Sequence, residues 1–131
     1  MSAADKLKSL YKEADALDES LPATLSKKIY LYTQTLGLIE KFHADAVKAR
    51  GLAEADRKRI YGETIMKVSG TATDKSAQAE ISCYDARKRE AQAEAEMWRW
   101  RNAFTSTQEV INALKLQLKS LMQEYNNANA G

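Results

Sequence analysis

Lys75–Tyr125, KSAQAEISCYDARKREAQAEAEMWRWRNAFTSTQEVINALKLQLKSLMQEY, is the stretch that decides the fold. Ala79, Cys83, Ala86, Ala93, Met97, Trp100, Phe104, Ile111, Leu114, Leu118, Leu121 and Tyr125 fall on one heptad seam within it, interrupted only by Glu90 and Thr107. Apolar residues at alternating three- and four-residue steps line one face of an α-helix and meet a second helix there. The pattern predicts a long helix over about 75–126. Small residues fill the seam near its start and bulky ones fill it further on, so packing should be tight first and thicker later. Asn126 to Gly131 should fray.

The partner helix is legible upstream. Leu25, Tyr32, Ile39, Ala46, Ala53 and Ile60 recur every seven residues, with Ile29 and Leu36 between the first of them. This spacing predicts a helix over about 24–68, beginning near Pro22 to Thr24. Gly37, Gly51 and Gly62 weaken it, and a kink or break at Gly51 stays open. Residues 69–74, Ser-Gly-Thr-Ala-Thr-Asp, form the expected loop, with Gly70 suited to a helix C-terminal cap and Thr73 or Asp74 to an N-cap. The chain should reverse there. Ahead of the pair, Leu7, Leu10, Ala14, Leu17 and Leu21 predict a short helix over about 4–21, ended by Leu21-Pro22. The expected fold is therefore all-α: a short N-terminal helix, then a long antiparallel helical hairpin, as one helical domain over 1–131 that assembles as an oligomer.

Composition agrees with long helices. There is one proline and five glycines in 131 residues, and charged residues make up 29 % with a net charge of only +2. Any electrostatic attraction must come from how charge is distributed. With one cysteine and one histidine the chain lacks the ligands of a structural zinc site and has no internal disulfide, so a reducing, cytoplasmic setting is expected, with no metal or cofactor. No apolar run approaches a membrane span, and the N-terminus has no apolar leader core.

An enzyme reading finds no support in motifs. The sequence contains no Gly-rich phosphate loop, no Gly-x-Ser-x-Gly and no Cys-x-x-Cys. His43, beside Phe42, reads as a packed histidine, and Cys83 as a small core residue. Glu90, Glu94 and Glu96 lack the Glu-x-x-His element of a helical metal site. Trp98-Arg99-Trp100-Arg101 resembles a base-stacking element, yet Trp100 belongs to the seam, so packing is its default role.

The basic residues carry more. Arg57-Lys58-Arg59 precedes the loop and Arg87-Lys88-Arg89 follows it, so a hairpin folded at residues 71–72 brings both clusters to one height. Tyr61 and Tyr84 accompany them, and Lys48, Arg50, Lys67 and Lys75 extend the positive charge. Bases interleaved with aromatic faces suit a flexible nucleic-acid strand, through phosphate neutralisation and stacking. The other reading stands beside it: Asp56, Glu63, Glu80, Asp85 and Glu90 hold the bases in ordinary solvated pairs. Off the seams, Leu31, Leu38, Phe42, Trp98, Val110 and Leu116 would form an exposed apolar patch. The first helix covers some of it, and neighbouring subunits meet the rest through Leu31, Leu38, Trp98, Val110 and Leu116.

Between about Leu25 and Leu121 the chain resembles the UvsY-like family of phage recombination mediators. The residues that carry the resemblance are Lys28-Ile29-Tyr30-Leu31-Tyr32, Arg57-Lys58-Arg59-Ile60-Tyr61-Gly62, a glycine-containing turn and a long last helix with a mid-helix tryptophan. The resemblance implies a non-enzymatic protein that binds single-stranded DNA and helps load a recombinase onto DNA coated by a single-strand-binding protein. It implies a ring-like homo-oligomer too. It places strand binding on Arg57 and Arg59, with Lys58 beside them, while Lys48-Ala49-Arg50-Gly51 matches the same element. The alternative is a helical interaction module, a phage-encoded inhibitor, adaptor or coiled-coil scaffold, whose charges only solubilise it.

Overall fold

The computed structural model describes residues 2–130; Met1 and Gly131, the ends of the expected domain, lie outside them. The described residues form four helices, α1 (Ala3–Asp15), α2 (Pro22–Lys67), α3 (Ala72–Ser82) and α4 (Tyr84–Ala130), and no strand.

Helix α1 starts where Ser2 accepts a hydrogen bond from the Asp5 amide while the Asp5 carboxylate accepts one from the Ser2 amide, a reciprocal cap. It ends at Asp15, short of the expected Leu21. The cause is local: Asp18 accepts from the Ser20 amide at 2.8 Å and from its hydroxyl at 2.7 Å, and the Thr24 hydroxyl donates to the Asp18 carbonyl at 2.6 Å. Such side-chain bonds offer the backbone an alternative to another helical turn. Leu21 consequently stands 47 % exposed in the connection and is not part of a buried helical face.

Helix α2 runs unbroken through Gly37, Gly51 and Gly62, and a Cβ at any of the three would meet nothing within 4 Å. The kink left open at Gly51 does not occur as a break. The loop after α2 is shorter than expected. The N-cap is Thr71, with Asp74 completing the reciprocal cap, in place of Thr73 or Asp74. Gly70 adopts φ +123°, a left-handed conformation that side chains disfavour, and so makes the reversal. The expected 75–126 helix is two helices, α3 and α4, divided at Cys83. Cys83 stays close to helical geometry, and its thiol donates to the Arg57 carbonyl at 3.5 Å. Helix α4 continues to Ala130 rather than fraying from Asn126.

The contacts gather into two compact units, one comprising 1–41 with 101–131 and the other 42–100. In the first, Leu10, Ala14, Leu25, Leu31, Tyr32, Ile111 and Leu114 form the core, flanked by Tyr11, Leu17, Ile29, Leu36, Leu38, Leu118 and Leu121. Thr107, a polar interruption of the seam, is buried and meets the Tyr11 hydroxyl at 3.3 Å. Tyr32 donates to Asp15 at 2.5 Å, and burial together with that bond raises its phenol to about 12.

In the second unit the end of α2 pairs antiparallel with α3 and the start of α4. Its buried apolar residues are small: Ala46, Ala79, Cys83 and Ala86. Phe42 and Trp100 stack with ring centroids 4.8 Å apart. Trp100 thus packs, as its seam position predicts, and its indole N–H donates to Glu96 at 2.8 Å.

Candidate nucleic-acid interface

The antiparallel pairing of residues 42–100 brings the two basic clusters together, and it brings their acids with them. Arg57 is held by Glu90 across the helix pair, with side chains only 23 % and 17 % exposed. The bond to Glu90 raises the Arg57 pKa. Glu90 interrupts the apolar seam because a cation from α2 needs a partner there. Arg59 donates to Glu63 at 3.0 Å and to Asp56 at 2.7 Å, and Arg89 reaches the same Asp56 from α4 at 3.1 Å. Asp56 therefore bridges the two clusters. Hydrogen bonds from Arg59 first, then Arg89, hold its carboxyl below the usual carboxylate range.

The remaining bases divide. Lys58 meets Glu54 at 3.2 Å and Arg50 meets it at 3.9 Å; Lys58 is the main cause of the lowered Glu54 carboxyl. Arg50 also has a shielded Nε with no hydrogen-bond partner. Arg87 pairs with Glu80 at 2.7 Å along its own side of the hairpin. Among the described residues no ion pair engages Lys48, Lys67, Lys75 or Lys88. Tyr84 is 69 % exposed, whereas Tyr61 is half-buried, so the two tyrosines are not equivalent stacking faces.

Over residues 42–100, Lys and Arg exceed Asp and Glu by one. Arg59 and Arg89 converge as the hairpin reading expects, and the acids around them balance nearly all of the positive charge. Sequence spacing marks Asp56 only as a generic neutralising partner, and Glu90 as such a partner, as an interruption of the seam and as part of the Glu90, Glu94 and Glu96 run; their place between the arginines comes from the fold. The signal for Glu90 was its place on the seam.

The residues expected at subunit contacts also separate. Leu31 is buried within its own chain, and Leu38 packs against the same core, because α1 and the distal part of α4 cover that face of α2. Leu31 is therefore not available to a neighbouring subunit, whereas Leu38 stays partly exposed. Trp98, Val110 and Leu116 remain 44 %, 41 % and 68 % exposed.

Among the described residues no group of three or more His, Cys, Asp or Glu is placed to hold a metal ion, and no helix is long and apolar enough to cross a membrane. No family model, curated protein or solved structure matches the chain.

Proposed function

We propose that the protein is a non-enzymatic single-stranded-DNA-binding protein that acts as a recombination mediator of phage type, holding a strand along the helical pair of residues 42–100. The observation that carries this reading is the meeting of Arg57, Arg59 and Arg89 at one height around Asp56 and Glu90. Arg59, Arg89 and Lys58 lie in exposed pairs, which contribute little to stability, so exchanging a carboxylate for a phosphate disturbs the fold little. Arg57 stays with Glu90 and positions the cluster. A near-neutral tip binds weakly by itself. Several copies on one strand would multiply that affinity through effective concentration, which is why the reading includes a long helical hairpin assembled as an oligomer. Loading a recombinase over a single-strand-binding protein then requires only that the held strand favour one competitor, a matter of differential binding without catalysis.

A second reading, a helical interaction module without DNA binding, is favoured by a specific observation: the acids of the hairpin match its bases almost one for one. Strand affinity as a function of salt separates the two. For a single strand, log affinity falls with log salt at about −0.7 per phosphate neutralised. Replacing Lys58, Arg59 and Arg89 with Gln, with helicity checked by circular dichroism, should weaken binding to mixed-sequence oligonucleotides and make that slope shallower. Unchanged affinity and slope removes Lys58, Arg59 and Arg89 from the site, and no binding by the wild-type protein at low salt gives the role to the interaction module.

A further inference from the structure

Helices α3 and α4 carry a second heptad stripe on the side away from α2. Ala77, Ile81, Tyr84, Ala91, Ala95 and Trp98 follow one another at steps of three, four and seven residues, and all are exposed. Lys88 completes the stripe and is its one polar member. Every position of the stripe lies two residues before a member of the packed seam, a rotation of about 200° at 100° per residue, so the two stripes face opposite ways. Helix propensity alone puts alanines on a solvated face, but it gives no reason for Ile81, Tyr84 and Trp98 to fall on the same period. Packing against a further helix does.

Charges flanking the stripe identify that helix. Glu80, Arg87 and Glu94 run along one edge, alternating in sign at each heptad, while Asp85 and Gln92 run along the other. Two copies laid antiparallel, with a two-fold axis between Arg89 and Glu90, set Ile81 against Trp98, Tyr84 against Ala95 and Lys88 against Ala91. Large side chains then face small ones in the inner layers. Arg87 of each copy meets Glu94 of the other, and Asp85 meets Gln92. Sliding one copy by a heptad destroys this match: one direction sets Arg87 against its own counterpart and Glu80 against Glu94, the other sets Glu94 against its own counterpart. A parallel pair in register opposes Lys88 to Lys88 and Glu80 to Asp85. Of these arrangements the antiparallel register through Arg89 and Glu90 is the one that satisfies both shape and charge.

We infer that this face pairs with a second copy of the same chain in that antiparallel register. The exposed Arg87–Glu80 pair gives way readily to Glu94 of the partner, since such pairs are weak. The short stem opposite Lys88, an alanine, leaves room for its carbon chain to lie along the interface with the ammonium at the edge. The pairing goes beyond the strand-binding reading and does not depend on it. Tyr84 and Lys88 then belong to the pairing face, and strand binding is left to Lys58, Arg59 and Arg89.

The test is a charge exchange read by sedimentation equilibrium. Arg87→Glu alone and Glu94→Arg alone each set two like-charged contacts in the symmetric pair and should weaken self-association by about tenfold, given the few tenths of a kcal/mol typical of each such contact in either sign. Mixing the two variants restores both contacts, so the mixture should associate like the wild type. A misfolded variant cannot be rescued in this way, and circular dichroism of each confirms helicity. A wild-type protein that stays monomeric at its highest soluble concentration overturns the inference. So does an association indifferent to both reversals, or a mixture no tighter than its components.

Discussion

The two compact units solve one problem, a heptad seam between helices, with different chemistry. In the unit formed by 1–41 and 101–131, leucines, an isoleucine and a tyrosine fill the contact, and stability comes from apolar area removed from water. In the unit formed by 42–100, alanines and a cysteine let the helices approach closely, and charged pairs such as Arg57–Glu90 take the places where a small residue would leave a gap. The first arrangement tolerates no loss of volume. The second tolerates no gain. The lesson is that one periodic pattern encodes the pairing of helices, while residue size decides which forces hold the pair and how much polar surface survives beside it.

That contrast is broken or sharpened most strongly by opposite changes of volume. Leu25 is fully buried, and Leu25→Ala should cost about 2–5 kcal/mol through lost transfer energy and the cavity left behind. In the other unit the damaging change is the reverse one: Ala86, 2 % exposed, cannot accept a larger side chain without separating the helices, so Ala86→Leu should cost about 1–3 kcal/mol. Urea unfolding of both variants measures the two losses. If Ala86→Leu is neutral, the small-residue seam is not closely packed and the distinction between the units fails.

A smaller effect separates the units by pH. The Tyr32 phenol is raised from 10.0 to about 12, so its neutral form is favoured in the folded protein. Its contribution is complete below pH 10 and is lost as pH rises through about 12, because over that window the unfolded chain releases a proton that the folded chain keeps. Tyr32→Phe should cost about 1 kcal/mol at neutral pH by removing the bond to Asp15, and should reduce the loss of stability between those pH values. Thermal unfolding across alkaline pH reads this directly; an equally steep loss in Tyr32→Phe would show that Tyr32 is not its source.

The smallest effect should be the same in both units. Gly37 belongs to one and Gly51 to the other, both lie within α2, and a Cβ at either meets nothing within 4 Å. Gly37→Ala and Gly51→Ala should each stabilise the protein by about 0.4–1 kcal/mol, through helix propensity and a less flexible unfolded chain. A loss at Gly51 alone, seen as a lower urea midpoint, would mean that the helix needs flexibility there after all.

The sequence by itself determined the all-helical class, the main seams of α2 and α4, the position of the reversal and the absence of familiar catalytic motifs. Those features repeat at fixed short spacings or sit in a few adjacent residues, and local backbone physics reads them in that form. It misjudged the first helix at Asp18, where side-chain bonds to Ser20 compete with helical ones, and the continuous last helix at Cys83, where the seam alone carries no signal of a division. Only the tertiary structure decided the fate of the charges and of Leu31. Arg57 and Glu90, like Asp56 and Arg89, are 33 residues apart, so no helical spacing announces their pairing. Leu31 looks exposed from the periodicity of α2 alone and is buried because α1 and α4 cover it in the folded unit. Periodicity tells which way a side chain points along its own helix, and what waits there is set by contacts between residues far apart in the chain.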